Sequence, residues 1–241
     1  MCGRFTLRTP ASKLASWFLN ATLDLNWPAL RPRFNVAPTQ PIACVRNSSE
    51  GIAEVVQLHW GLIPSWSKDP KSAAKMINAR SETVAEKPSF RSAFKRRRCL
   101  IVTDGFFEWK RDGEIKRPFY ITVRDDTPFC FAGLWETWNG NGQSIESATI
   151  ITTSPNELMR EVHDRMPVIL PPNQYRYWLE AVPPTAPRSK QSKVSETEPD
   201  AVTPSLLEML TQFPATDMKA TEVSTFVNSP FNDSEECCFP V

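Results

Sequence analysis

Val55-Val56-Gln57-Leu58-His59-Trp60 alternates side chain by side chain, with Val56, Leu58 and Trp60 on one face and Val55, Gln57 and His59 on the other. Successive side chains of an extended chain point to opposite sides, so a period of two predicts a strand. Phe119-Tyr120-Ile121-Thr122-Val123-Arg124 repeats the pattern, and both stretches read as half-buried strands. Residues 99 to 103, 129 to 135 and 148 to 153 are further strand candidates.

Helical signals are shorter. Thr9 and Pro10 make an N-cap and first helical position, and Leu14, Trp17 and Phe18 follow at helical spacing, predicting a helix over 10–19. Ser154, Pro155 and Glu157 resemble a capping box whose helix ends near Val162, leaving His163 just past it. Thr203 and Pro204 start another helix, with Leu206, Leu207, Leu210 and Phe213 on its buried side. The class is α+β, in a single domain.

Composition narrows the function. The 241 residues are 41% hydrophobic with 8 Trp, enough to bury a core. Six scattered cysteines lack any C-x-x-C spacing, which suggests neither a disulfide framework nor a zinc site and fits a reducing compartment. Neither a signal peptide nor an apolar run of membrane-spanning length is seen, so a cytoplasmic location is expected, nucleoid-associated if the source is bacterial. Only 8 glycines stand against 22 prolines, without a phosphate-cradling glycine motif.

The net charge of +1 hides an asymmetry. Residues 1–195 carry 27 of the 28 Lys and Arg but 18 of the 27 Asp and Glu, a net +9, and residues 196–241 carry a net −8. The body suits a polyanion, and its densest patch is Arg91 with Lys95, Arg96, Arg97 and Arg98, which taken alone reads as a solvated turn. An acidic tail folding back would cancel part of that field. The stretch 182–200, rich in Pro, Ser, Lys and Glu, reads as an exposed loop insertion.

Met1-Cys2-Gly3-Arg4-Phe5 opens the chain, and removing Met1 would leave a 1,2-aminothiol. With an α-amine pKa of about 7.7–8.0 and a thiol near about 8.5, both groups are available nucleophiles, and Arg4 is expected to favour the thiolate. Such a pair can attack an acyl carbon through sulfur. It can also condense with an aldehyde, the amine forming an imine and the thiol closing a thiazolidine. On the pentapeptide alone, an inert N-terminal cysteine is the simpler reading.

Five other strings mix polar groups with rigid apolar ones: Phe34 to Thr39, Trp60 to Trp66, Ile77 to Thr83, Asp104 to Trp109 and His163 to Pro167. Together with the opening pentapeptide, and in this order, they resemble the SRAP family, the SOS-response-associated peptidase proteins that bind abasic sites in single-stranded DNA. The resemblance runs from Cys2 to about Asn232 and includes Val227-Asn228-Ser229-Pro230. It implies an SRAP-like domain over 2–232, with a curved antiparallel sheet or barrel-like core and short flanking helices, followed by an acidic, Cys-containing tail over 233–241.

The resemblance also implies an abasic-site sensor of the DNA damage response that crosslinks covalently through Cys2, with an accompanying strand-nicking lyase activity and no cofactor or metal. Around Cys2, Glu108 between aromatic neighbours suits a general acid and base, and His163, of ordinary pKa near about 6.5, suits proton transfer. Asn78 would orient the Cys2 amine, whereas His59, inside an alternating strand, reads as structural. Arg80 and Arg165 are the expected phosphate clamps, with Arg4 next. Asn35, Pro38 and Trp66 would line the DNA groove. The protein is expected to act as a monomer.

Two other classes stay open. One is an N-terminal-nucleophile hydrolase using Cys2, cleaving itself at Met1 or another peptide. Glutamine amidotransferases also begin Met-Cys-Gly, but Arg4-Phe5 and the later strings depart from their glycine-rich continuation. The other is a non-catalytic single-strand binder.

Overall fold

Strands hold more of the described residues than helices do, as the alternation requires. A computed structural model describes residues 2–20, 25, 26, 28, 30–124, 126–180 and 203–241. The strands are β1 (Arg4–Leu7), β2 (Arg33–Val36), β3 (Pro41–Asn47), β4 (Ala53–Trp60), β5 (Asn78–Arg80), β6 (Arg98–Thr103), β7 (Gly105–Asp112), β8 (Ile115–Val123), β9 (Phe129–Gly140), β10 (Gln143–Thr153), β11 (Met166–Pro167), β12 (Ile169–Leu170) and β13 (Met218–Glu222). The helices are α1 (Ala11–Asn20), α2 (Arg91–Arg96), α3 (Glu157–Arg160), α4 (Tyr175–Glu180) and α5 (Thr203–Glu208). Among the described residues no helix is long and apolar enough to cross a membrane.

Two sheets result. One is antiparallel throughout, in the order β13-β8-β7-β1-β2. In the other, β10 pairs with both β4 and β9, so β10-β4-β3-β6-β9 closes into a five-stranded barrel. Closure uses a parallel pairing of β10 with β4, and β5 also lies parallel to β10, so the expected antiparallel core has two parallel seams. The β9–β10 hairpin turns at Asn141 and Gly142, both at positive φ (53° and 72°), as a tight two-residue turn demands.

Alternation along the barrel strands feeds two apolar clusters. Ile42, Cys44, Leu58, Trp60, Ile101 and Phe131 pack with Phe5, Phe106 and Ile121 of the other sheet. Their sequence neighbours Ala43, Val45, Leu100, Val102 and Ala132 pack with Leu14 and Phe18 of α1, Phe94 of α2 and Trp178 of α4. Each fully buried large side chain contributes about 1.5–3 kcal/mol, so strands covered on both faces dominate the stability.

This double cover corrects the half-buried reading of residues 119–124. Tyr120 and Thr122 are buried as well as Ile121 and Val123, because β13 pairs along β8 and Val223, Val227 and Cys237 pack over Tyr120 and Phe107.

Three helix expectations also change. The Thr9 hydroxyl donates to Asp104 Oδ2 at 2.9 Å instead of capping α1, which starts at Ala11. The cap of α3 is Asn156, whose side chain accepts from the Met159 N–H at 2.9 Å, and the helix stops at Arg160, short of Val162. Helix α5 ends at Glu208, so Leu210 and Phe213 are buried beyond it, and Leu207 is exposed.

The basic run after Arg91 is a helix end rather than a solvated turn. Arg98 is buried, donating to the carbonyls of Trp178, Phe94 and Lys95, and Arg97 pairs with Glu136 at 2.6 Å. The acidic C-terminal part folds back on the basic body, through Arg33 with Asp233, Arg117 with Glu222 and Arg124 with Asp217. Residues 233–241 are thereby part of the fold, with Cys237 fully buried. The expected insertion at 182–200 lies outside the described residues.

Candidate active site

Cys2 precedes β1, which pairs with β7 in the register Arg4 with Phe107 and Phe5 with Phe106. Phe106 and Glu108 are two residues apart on β7, so they share a face, and Phe106 joins Cys2 in one cluster. Glu108 is thus buried behind the sheet, 2% exposed, instead of lying on its solvent side. Burial raises its carboxyl above the usual carboxylate range, opposed by neighbouring positive charge including His163.

Burial also pushes the Cys2 thiol well up, and the Glu108 charge adds to the effect. This overturns the expectation that Arg4 promotes the thiolate. The Arg4 guanidinium is turned elsewhere, donating to Asn35 Oδ1 at 2.9 Å and to the carbonyls of Val227 and Asn228 at 3.0 and 3.2 Å, and it lies over the Trp109 ring.

Asn78 opens β5, which the parallel pairing with β10 holds beside the barrel. Its Nδ2 donates to the Cys2 carbonyl at 2.9 Å, and its buried Oδ1 has no hydrogen-bond partner among the described residues. His163 follows α3, with its backbone N–H donating to the Met159 carbonyl. The Arg165 N–H lies 3.0 Å from His163 Nδ1, and His163 Nε2 lies 4.0 Å from Glu108 Oε2. The exposed Asp164 carboxylate also lies 3.0 Å from Nδ1. Four separated segments thus bring Cys2, Asn78, Glu108 and His163 together.

A cleft of about 470 Å³ opens here, lined by Glu108, His163, Arg4, Trp109, Arg111, Lys116 and Asn228. Arg111, Lys116 and Asn228 were not singled out from the sequence as site residues. The register of the β7–β8 hairpin, which sets Arg111 opposite Lys116, is the signal that could have found the basic pair. Asn228 accepts from Trp109 Nε1 at 2.7 Å, tying the Val227–Pro230 string to the cleft. Among the described residues no group of three or more His, Cys, Asp or Glu is placed to hold a metal ion.

The remaining expected site residues divide. Trp66 is 63% exposed, in the loop that leaves β4 through Gly61, where φ of 127° and a Cβ position only 2.4 Å from the Ala73 carbonyl oxygen exclude larger residues. Arg80 is exposed two residues after Asn78 on the same side of β5, and Pro38 is half-buried in the turn after β2. Arg165 is occupied, giving both arms to Glu82 and donating to the Thr152 carbonyl at 2.7 Å. Asn35 is fully buried, with its Nδ2 on the carbonyls of Val227, Ser229 and Asn232. His59 sits in the β3–β4 pairing opposite Pro41, away from the cleft lining.

Comparison with known proteins gives a consistent result. The family model described as SOS response associated peptidase (SRAP) matches residues 1–230. The chain is 43% identical over 238 residues to the abasic site processing protein YoqW of Bacillus subtilis, covering 98% of each chain. It is 32% identical over 181 residues to the abasic site processing protein YedK of Escherichia coli, covering 74% of this chain and 79% of that one. A crystal structure of a protein from Bacteroides thetaiotaomicron superposes with a TM-score of 0.75 at 26% identity, over 100% of both chains.

Proposed function

Because the chain belongs to the SRAP family, we propose that it processes abasic sites in DNA, with Cys2 as the covalent nucleophile once Met1 is removed. The observation that carries this reading is that Cys2, held by Asn78, lies close to Glu108 and His163, which line a cleft with Arg4, Arg111 and Lys116.

An abasic deoxyribose rests mainly as a closed hemiacetal. Opening it takes the proton off the anomeric hydroxyl and delivers one to the ring oxygen; burial favours the protonated form of Glu108, which suits it to the delivery, while His163 beside it accepts the hydroxyl proton and leaves Glu108 as carboxylate. The Cys2 amine then adds to the aldehyde carbon and water leaves, giving an imine. Finally the thiol adds across the C=N bond, sulfur to carbon and proton to nitrogen, closing the thiazolidine. A thiol kept neutral by burial needs a base for this step, and Glu108, having given up its proton, is that base. Asn78 Oδ1, which has no partner among the described residues, is available to the amine that Met1 removal creates.

Single-stranded DNA fits the surroundings. The exposed Trp66 ring and Pro38 offer faces to unstacked bases, and Arg80 offers a fork to phosphate. Arg165 serves the same end when a phosphate displaces Glu82, and Asn35 acts through the hold it keeps on Arg4. The imine also acidifies the adjacent sugar carbon, so slow β-elimination and strand nicking accompany capture.

Mass spectrometry of the processed protein, before and after incubation with a single-stranded abasic oligonucleotide, tests the proposal. The expected product is protein lacking Met1 plus DNA minus one water, with the adduct on Cys2. An equally stable adduct formed by Cys2→Ala overturns it.

A further inference from the structure

Arg111 and Lys116 are directly opposed on the β7–β8 hairpin, and both are exposed. Like charges facing each other across an antiparallel pair repel. Among the described residues neither has an acidic partner within 4.0 Å. The next pair along the hairpin, Lys110 with Arg117, is treated differently, because Arg117 gives both arms to Glu222, with Nε 2.7 Å from Oε1. One member of that pair is neutralised, whereas among the described residues both members of the Arg111–Lys116 pair are left bare. The bare pair lines the cleft that Glu108 and His163 line, and the cleft volume lies within the range of small-molecule sites.

We propose that Arg111 and Lys116 form a phosphate seat in this cleft, holding a phosphodiester of the DNA strand beside the sugar captured by Cys2. The inference rests on the abasic-site reading above, and it assigns to the hairpin a part of the DNA track that Arg4, Arg80 and Arg165 do not cover. A guanidinium fork and an ammonium point charge opposed on one hairpin suit a tetrahedral anion with several acceptor oxygens. The repulsion between them is relieved when the anion binds.

The test uses protein lacking Met1 and a single-stranded oligonucleotide carrying a tetrahydrofuran analogue, which has no aldehyde, so that binding is separated from chemistry. Anisotropy titrations across salt concentrations compare wild type with the double variant Arg111→Gln, Lys116→Gln. The variant is expected to bind about tenfold more weakly at low salt, and its slope of log K against log salt is expected to be shallower by about 0.7, for the one phosphate that the pair neutralises.

Replacing a phosphate beside the analogue by neutral methylphosphonate, one position at a time, weakens wild type at the seated position and leaves the double variant little changed. If only a terminal phosphate group produces the difference, or affinity and slope match in the two proteins, the phosphodiester seat is wrong. The charge-keeping pair Arg111→Lys, Lys116→Arg retains the slope; a loss as large as that of the glutamine pair means these side chains act through the fold, and the proposal falls. Failure of wild type to form an adduct with an aldehyde-bearing oligonucleotide counts against Cys2 chemistry, while the salt comparison decides the seat independently.

Discussion

Asn78 Nδ2 donates to the Cys2 carbonyl at 2.9 Å, and the other end of the same amide is buried without a partner among the described residues. A buried acceptor left unpaired costs about 1–3 kcal/mol, so the fold bears this cost beside the nucleophile. The Cys2 amine, once freed, is the donor that meets it. Asn78→Ala removes both contacts, and single-turnover crosslinking to abasic DNA should slow by about tenfold to a hundredfold, at about 1.4 kcal/mol for each factor of ten. An unchanged rate removes Asn78 from the reaction.

Glu108 couples reactivity to stability through pH. Its folded carboxyl titrates above the ordinary range because it is buried. At pH below the unfolded value of about 4.3, both states are protonated and no cost arises. As pH rises through the window up to the raised folded value, the native state binds more protons than the unfolded one, so stability falls. Glu108→Gln is therefore expected to melt higher than wild type near pH 8, by roughly 2–4 °C for each kcal/mol recovered, with the gap closing toward pH 4. Its capture rate should fall by about a hundredfold or more. Melting curves at four pH values and a crosslinking time course check both; a gap that widens on acidification contradicts the burial argument.

Legibility in the sequence followed the range of the interactions involved. Alternation at 55–60 and 119–124 is a local property and located β4 and β8. The strings holding Cys2, Asn78, Glu108 and His163 could be named one by one, but their meeting depends on pairings such as Arg4 with Phe107. What pattern could not show was occupancy. Asn35 is spent on the carbonyl of Asn232, 197 residues away, and Asp233 accepts from the N–H groups of Phe34 and Asn35. The direction of the thiol shift was hidden for the same reason, since Arg4 is two residues away in sequence but points elsewhere, and burial is a property of the whole fold.

Arg165 and Glu82 form a pair that a phosphate must open. The guanidinium holds the Glu82 carboxyl below its ordinary value, so the pair's contribution is present above the ordinary carboxylate range and lost as pH falls through the depressed value. Glu82 is half exposed, so that contribution to stability is small. Its larger effect is competition with DNA. Glu82→Gln frees Arg165, and affinity for single-stranded DNA at low salt should rise several-fold, with a salt slope steeper by about 0.7. Weaker binding by Glu82→Gln would show instead that Glu82 presents Arg165 to the phosphate.

Asp104 fastens the strand that carries the nucleophile. Its carboxylate, 1% exposed, accepts from the Thr6 hydroxyl at 2.5 Å, from the N–H groups of Arg8 and Thr9 at 2.6 and 2.8 Å and from the Thr9 hydroxyl at 2.9 Å. These contacts anchor the far end of β1 next to Gly105, which pairs with Thr6. A slip of one residue would turn Phe5 out of the core and carry Cys2 away from Glu108. Asp104→Ala strands several buried donors at once, at a combined cost of about 3–5 kcal/mol, which lowers the melting temperature by roughly 6–20 °C. Asp104→Asn keeps an acceptor and should lose less. If the anchor sets the register, crosslinking by Asp104→Asn, measured well below its melting temperature, should still be slower than wild type; a wild-type rate there confines Asp104 to stability.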